Sequence, residues 1–373
     1  MVTAAKIARF LRDPAYATYV IRTRASRFSR GRLRRWAGIV PPPRDVILQI
    51  TADCNRRCRM CNQWGGNGVY RRRDRSTLHM PLDRFSALYD EACEFKSSVV
   101  LMGGEPMVHP EFDRILRWCQ QKPLPITIGT NGTLIERYAD LLAQPPVHSL
   151  EVSIDGPEEI NDKVRGRGTF RTILKGLEAL RERAAKSRYI PRIQVRCTIL
   201  PENVGHLEEL GRLLADKGIE LLSFQHLIYH NPTVYRENKR VMHEEFGIVQ
   251  ETEGDGLLPR QNINGEQVLR QIQSLRQTNL GFPIVMNPTY DDDVILEYYA
   301  GGEIRQPPKR CVIPYQQISV DYAGNVTSCN VYFGNAFKSG LLKIWRGKTY
   351  RSFRKNMDRV GSIPLCKICC YPD

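Results

Sequence analysis

The chain has 373 residues, enough for one large domain with an appendage and an ample core. A hydrophobic content of 42% and an aromatic content of 9% exclude a disordered chain, and no apolar run approaches the ~18–20 residues that cross a bilayer. Of the formal net charge of +15, residues 1–45 carry +9 (Lys6 and ten arginines against Asp13 and Asp45), so the other 328 residues carry only +6 and charge does not make the whole chain a nucleic-acid binder.

Arg9, Arg12 and Asp13 interrupt any secretion signal at the N-terminus. The expected compartment is therefore the reducing cytoplasm, where eleven cysteines read as metal ligands rather than disulfides. Residues 3–37 read as helical, with a break at Asp13-Pro14. There, arginines from Arg22 to Arg35 interleave with Phe28, Leu33 and Trp36. Such a segment is expected to pack across the main domain with its basic face in water. The alternative is peripheral binding of residues 1–40 to an anionic membrane surface. Pro41-Pro42-Pro43 closes this arm, residues 1–43, as a stiff linker.

The apolar run Val46 to Thr51 reads as a strand, and behind it stand Cys54, Cys58 and Cys61 in a C-x3-C-x2-C spacing. Three thiolates on one loop can hold three corners of an iron–sulfur cube and leave the fourth iron open to a small molecule. A zinc knot that borrows a fourth cysteine is the rival reading, and reduced thiols with no shared role are a third.

From there strand and helix alternate. Strands are expected at 46–51, 97–102, 125–130, 148–154, 192–199 and 220–227, with helices at 81–95, 110–121, 133–144, 169–187 and 203–217. Six βα units imply an α/β fold, a parallel sheet with an outer helical layer that one-handed crossovers curl toward a barrel. Functional residues then belong in the loops after the strands. Gly103-Gly104-Glu105-Pro106, Thr130-Asn131-Gly132 and Ser153-Ile154-Asp155-Gly156-Pro157 all fall there, the last followed by Arg165-Gly166.

Residues 231–310 read as a bridge, a lid or a substrate-facing insert, with a helix at 266–277 and an acidic helix start at Asp291-Asp292-Asp293. The tail, 311–373, opens with Cys311, then a strand from Gln317 to Asp321, the turn Ala323-Gly324-Asn325 and a second strand ending in Cys329. Cys366 and Cys369 follow as C-x2-C, with Cys370 as a spare or alternative ligand. On spacing alone, a zinc ribbon contends equally with an iron–sulfur site. Cys93, Cys119 and Cys197 read as buried structural thiols.

Taken in order, the cysteine loop and the glycine-rich landmarks resemble the radical S-adenosylmethionine (SAM) enzymes over residues 44–230. The tail resembles their twitch or SPASM auxiliary-cluster domains, with a single C-x2-C that implies one auxiliary [4Fe–4S] cluster on Cys311, Cys329, Cys366 and Cys369. The resemblance implies a partial (β/α)6 TIM-like barrel with a small C-terminal hairpin and helix domain. It implies a [4Fe–4S] cluster on Cys54, Cys58 and Cys61 whose open iron takes SAM. Gly103 and Gly104 would let the backbone approach the SAM amino group, Glu105 would accept from it, and Ser153 and Arg165 would hold the carboxylate. Asn131 and Asp155 would position the ribose or neighbouring polar atoms, and Met60 would lie against the adenine. A flavodoxin- or ferredoxin-type donor would supply electrons.

The expected activity is reductive cleavage of SAM to a 5′-deoxyadenosyl radical, which abstracts hydrogen from a small molecule such as a sugar, an aminocyclitol or a lipid-linked intermediate. The residues that act on the substrate, the substrate itself and the outcome (dehydrogenation, epimerisation or similar) are not legible at this level. A maturase acting on a ribosomally made peptide or protein is the alternative. A zinc-binding module associated with nucleic acid is the remote one, and no specific nucleic acid is expected.

Overall fold

A computed structural model describes residues 40–122, 124–249, 254–304, 307 and 311–369. The basic arm, 1–39, and Cys370 lie outside the described residues, and so do the expectations attached to them.

Alternation of β-branched and polar residues builds the sheet. Strands β1 (Asp45–Thr51), β2 (Ser98–Gly103), β3 (Ile126–Thr130), β4 (Val147–Ser153), β5 (Arg192–Ile199), β6 (Leu221–His226) and β7 (Ile284–Asn287) lie side by side in chain order, all parallel. One face is apolar and sealed: Val46, Leu48, Val99, Leu101, Ile126, Ile128, Val195 and Phe224 are fully buried. Helices cover that face, because a parallel sheet reaches each next strand through a crossover. They are α1 (Leu82–Phe95), α2 (Phe112–Gln120), α3 (Ile135–Leu142), α4 (Glu158–Arg165), α5 (Thr169–Ser187) and α6 (Leu207–Leu214). The other face carries half-buried polar side chains, among them Gln49, Glu151, Gln194, Arg196 and Gln225. Across it Arg196 pairs with Glu151 at 2.7 Å and Gln194 donates to Ser149 Oγ at 2.9 Å.

The tail strands extend this same sheet. Strands β8 (Gln317–Val320), β9 (Asn325–Ser328) and β10 (Val331–Asn335) continue it beyond β1, giving the order β10-β9-β8-β1-β2-β3-β4-β5-β6-β7. Strand β8 runs parallel to β1 with Val46 opposite Ile318, and β8–β9 is the expected hairpin. The β9–β10 turn is Cys329-Asn330, both at positive φ (51° and 58°), as a two-residue type I′ turn requires.

Among the further helices are α7 (Pro232–Phe246), α8 (Gly265–Gln277) and α9 (Asp292–Gly301), and α10 (Lys348–Val360) in the tail. Asn231 caps α7 by accepting from Val234 N, with Pro232 in the first turn. Buried Asn238 of α7 accepts from Leu365 N at 3.2 Å, so this helix brackets the loop bearing Cys366. No described helix is long and apolar enough to cross a membrane.

One buried charge holds the tail together. Arg354 of α10 is 3% exposed, its guanidinium 4.0 Å from the ring centroids of both Trp345 and Tyr350. It donates to Pro314 O and Trp345 O, each at 2.7 Å. Losing two charge-assisted bonds and two desolvated cation–π contacts is expected to cost about 3 kcal/mol or more in Arg354→Ala. Urea midpoints would show it, and an unchanged midpoint would remove Arg354 from this role.

Candidate functional site

The loop after β1 is held by side chains that a sequence pattern does not show. Asp53 Oδ1 accepts from Cys54 N at 2.7 Å, and Arg75 clamps both Asp53 oxygens at 2.6 and 3.0 Å. Cys61 N donates to Cys58 O at 3.1 Å, closing a turn that brings the second and third thiols round. Each of the three sulfurs then receives N–H groups. Arg56 N and Asn131 Nδ2 reach Cys54 Sγ at 3.4 and 3.8 Å, Arg165 Nη1 reaches Cys58 Sγ at 3.8 Å, and Trp64 N reaches Cys61 Sγ at 3.4 Å.

That donor set suits sulfur carrying negative charge. Burial pushes the Cys54 thiol up to about 12, and also raises Cys58 despite the Arg165 guanidinium beside it. Bare Cys54 and Cys58 therefore keep their protons, and a bound iron centre would supply the positive charge that burial withholds.

The glycine-rich turn after β2 packs on this loop by backbone. A Cβ on Gly103, at φ +149°, would collide with the Thr51 carbonyl, and one on Gly104 with the carbonyls of Asp53 and Ala52. Gly104 N and Glu105 N donate to Thr51 O and Asp53 O at 2.9 and 2.8 Å. Glu105 is fully buried and joins the second and third loops. Its carboxylate accepts from Asn131 N (2.6 Å), Thr130 Oγ1 (2.9 Å) and Met107 N (3.2 Å), while desolvation raises it to about 7.

Asn131 in turn donates to Asn55 Oδ1 at 2.9 Å and accepts from Thr133, so its amide braces the cysteine loop. Ser153 ends β4, half-buried beside Arg196 of β5. Asp155, wholly buried, accepts from Thr198 N at 2.8 Å and faces Arg165. Asp155 Oδ2 and Arg165 Nε lie 2.7 Å apart without hydrogen-bond alignment, so that contact is electrostatic. Met60 packs on Val164, Leu200 and Leu227, around the ends of α4, β5 and β6.

Residues 48–214 match the Radical SAM superfamily, and residues 311–370 match the iron-sulfur cluster-binding domain called SPASM. The chain is a radical SAM enzyme with a SPASM domain.

Two relatives frame it. The Fe-coproporphyrin III synthase of Methanosarcina barkeri is 30% identical over 187 residues, 49% of this chain and 44% of that protein. The tungsten-containing aldehyde ferredoxin oxidoreductase cofactor-modifying protein of Pyrococcus furiosus is 25% identical over 341 residues, 88% of this chain and 87% of that one. Thus the chain spans less than half of the first relative and most of the second. Among solved structures, Streptococcus suis SuiB bound to S-adenosylmethionine shares the fold, with a TM-score of 0.62 at 16% identity over 90% of this chain and 74% of that one.

In the SPASM domain the four expected cysteines converge. Burial pushes the Cys329 thiol up to about 12, and the nearby Cys311, Cys366 and Cys369 raise it further. Cys329 sits at the tip of the β9–β10 turn, and Cys366 in the short helical turn Pro364–Ile368. The ten described cysteines form no disulfide. Among the described residues no three His, Cys, Asp or Glu side chains close on a single metal ion. Four half-buried thiols are the ligand type that an iron–sulfur cube takes. Cys119 and Cys197 are fully buried, Cys197 within the field of Asp155 and Arg165, and Cys93 is half-buried on α1.

Sequence reasoning missed the ring cluster at the end of β6. His226 is 2% exposed, shares a 2.7 Å hydrogen bond with Tyr299 and stacks on Tyr290 at 5.3 Å; Tyr290 donates to Cys369 O at 3.3 Å. The only outward sign is the Tyr298-Tyr299 pair, which reads equally well as helix core. Burial lowers His226 from 6.5 to about 4. The unfolded chain therefore takes up a proton here that the folded chain refuses, so this contribution is full above about pH 6.5 and lost as pH falls toward 4, a drop of about 3 kcal/mol. Urea midpoints of the parent should fall more steeply over that range than those of His226→Phe. Parallel pH profiles would exclude His226 as the cause.

Proposed function

We propose that the chain cleaves SAM reductively and uses the resulting 5′-deoxyadenosyl radical to abstract hydrogen from a small polar molecule. The observation that carries this reading is the convergence of Cys54, Cys58 and Cys61, each sulfur with an N–H donor and Arg165 beside Cys58. When bound, the cluster on these thiols supplies the electron that breaks a carbon–sulfur bond of SAM.

The chain's own residues would do the rest. Gly103, Gly104 and Glu105 shape the wall facing the SAM amino group, with Glu105 holding the Thr130-Asn131 turn in place. Ser153 and Arg165 would hold the carboxylate, Arg165 kept cationic beside buried Asp155. Asn131 and Asp155 would set the ribose side, and Met60 would offer its apolar patch to the adenine. Cys311, Cys329, Cys366 and Cys369 would fill all four corners of one auxiliary cluster, leaving it to pass electrons rather than bind substrate.

Support for a polar small molecule comes from the sheet face lined by Gln49, Glu151, Gln194, Arg196 and Gln225. The two curated relatives are also named for making Fe-coproporphyrin III and for modifying a cofactor. The test is anaerobic turnover of reconstituted protein with SAM and dithionite, first alone and then with candidate metabolites, reading 5′-deoxyadenosine and product mass. A loss of two hydrogens would mark a dehydrogenase-type oxidoreductase, and solvent deuterium in the product an epimerase. Absence of 5′-deoxyadenosine would overturn the reading, and turnover of peptides alone would replace the small molecule with a peptide.

A further inference from the structure

Outside the arm, the entire excess of positive charge lies in one short segment. Residues 46–373 carry a net +6, and residues 55–75 alone hold seven arginines against Asp74, which is also +6. The rest of that span is neutral in sum.

This segment folds back onto the cysteine loop. Val69 N and Tyr70 N donate to Asn62 O and Gln63 O, both at 3.0 Å, and the Arg71 guanidinium donates to the Gly66 carbonyl. Arg57, Arg59, Arg71, Arg72, Arg73 and Arg75 are all exposed. At the centre of this rim is Trp64, 3% exposed, with the Arg57 guanidinium 4.1 Å and that of Arg75 5.9 Å from its ring centroid. Trp64 Nε1 donates to Ala52 O at 2.6 Å, and its backbone N to Cys61 Sγ at 3.4 Å. One aromatic residue therefore separates a cationic surface from a ligand thiol. Asp53 pairs with Arg75 and Glu202 with Arg59, whereas Arg71, Arg72 and Arg73 make no ion pair among the described residues.

We propose that this arginine rim is the docking surface for an acidic one-electron carrier protein. The inference rests on the SAM-cleavage reading, which requires such a donor. A membrane or a nucleic acid would be attracted by basic charge anywhere on the molecule. Concentrating it on the loop that bears the cluster ligands serves a partner that must bring its own redox centre close to them. Complementary charge steers encounter and is weakened by salt. In the step served, the carrier would give up one electron to the cluster that Cys54, Cys58 and Cys61 would hold, and no group would be transferred.

The test uses the reconstituted full chain, reduced flavodoxin as the acidic probe, and the triple variant Arg71→Glu, Arg72→Glu, Arg73→Glu. The parent should bind flavodoxin at low salt and release it as salt rises. The variant should lose about tenfold or more in binding and in flavodoxin-driven 5′-deoxyadenosine formation. Its dithionite-driven formation should match the parent's, which also shows that it folds. A second triple, Lys343→Glu, Arg351→Glu, Lys355→Glu, makes the same charge change on exposed residues of the tail and should bind flavodoxin as the parent does. Equal loss in both triples would overturn the proposal. So would unchanged flavodoxin binding in the first triple alongside lost binding to phosphatidylglycerol vesicles or duplex DNA. A parent that makes no 5′-deoxyadenosine with dithionite would defeat the SAM-cleavage reading instead, and the binding measurement would stand apart from it.

Discussion

Cys58→Ala is expected to abolish 5′-deoxyadenosine formation, to below detection in an anaerobic assay with dithionite. Cys58 is 8% exposed, its carbonyl accepts from Cys61 N, and its sulfur faces Arg165. Removing that thiol takes one of three protein anchors and leaves the Arg165 charge with Asp155 as its single anionic neighbour. Cys197, a thiol that Asp155 and Arg165 also reach, is fully buried in β5. The matched control is Cys93→Ala on α1, half-buried and apart from the loop, which should keep parent activity. SAM cleavage by Cys58→Ala at the parent rate would refute the assignment of the first site.

The second large effect is expected from the double variant Cys311→Ala, Cys329→Ala. If four tail cysteines hold one cluster, this variant should retain about half the iron and still cleave SAM, but release no normal product. The reason is redox: a substrate that has lost a hydrogen atom must gain or lose an electron, or couple, before it leaves. Cys329 is the informative member, because its position on a two-residue turn at positive φ leaves little freedom to move aside. Single Cys369→Ala adds a second readout, since a full iron complement there would point to Cys370 as the ligand in its place. Parent-like iron in the double variant, or parent-like product, would rule out the auxiliary role.

Much of the core was legible because its strands alternate cleanly and its helices carry apolar stripes. Helix 169–187 and strand 192–199 have the expected ends, and the other core elements of that reading shift by a few residues. Helix α4 was missed because Glu158–Arg165 buries only Asn161, Val164 and Arg165, too few apolar positions to show a period. Yet that helix is what aims Arg165 at Cys58. Helix α7 was missed although Asn231-Pro232 is a helix start in plain sight; the buried side of that helix includes a polar residue, Asn238. At the site, the cysteines were readable from spacing alone. The stitching done by Glu105, Asn131 and Asp53 was not, since each bonds across loops that only the fold brings together. The glycines were expected to make room for a ligand; that a Cβ on Gly103 or Gly104 would also meet the backbone of Thr51 to Asp53 was not legible.

The pairing of β8 with β1 has a consequence for how this protein is made. Val46, near the start of the described chain, has Ile318 as its neighbour on one side and Val99 on the other. During synthesis β2 is available early, but β8 emerges only after β2 to β7 have all been made, so β1 stays an open edge until then. The loop carrying Cys54, Cys58 and Cys61 hangs from that edge. A chain cut before β8 is therefore expected to weaken a cysteine loop encoded more than two hundred residues upstream.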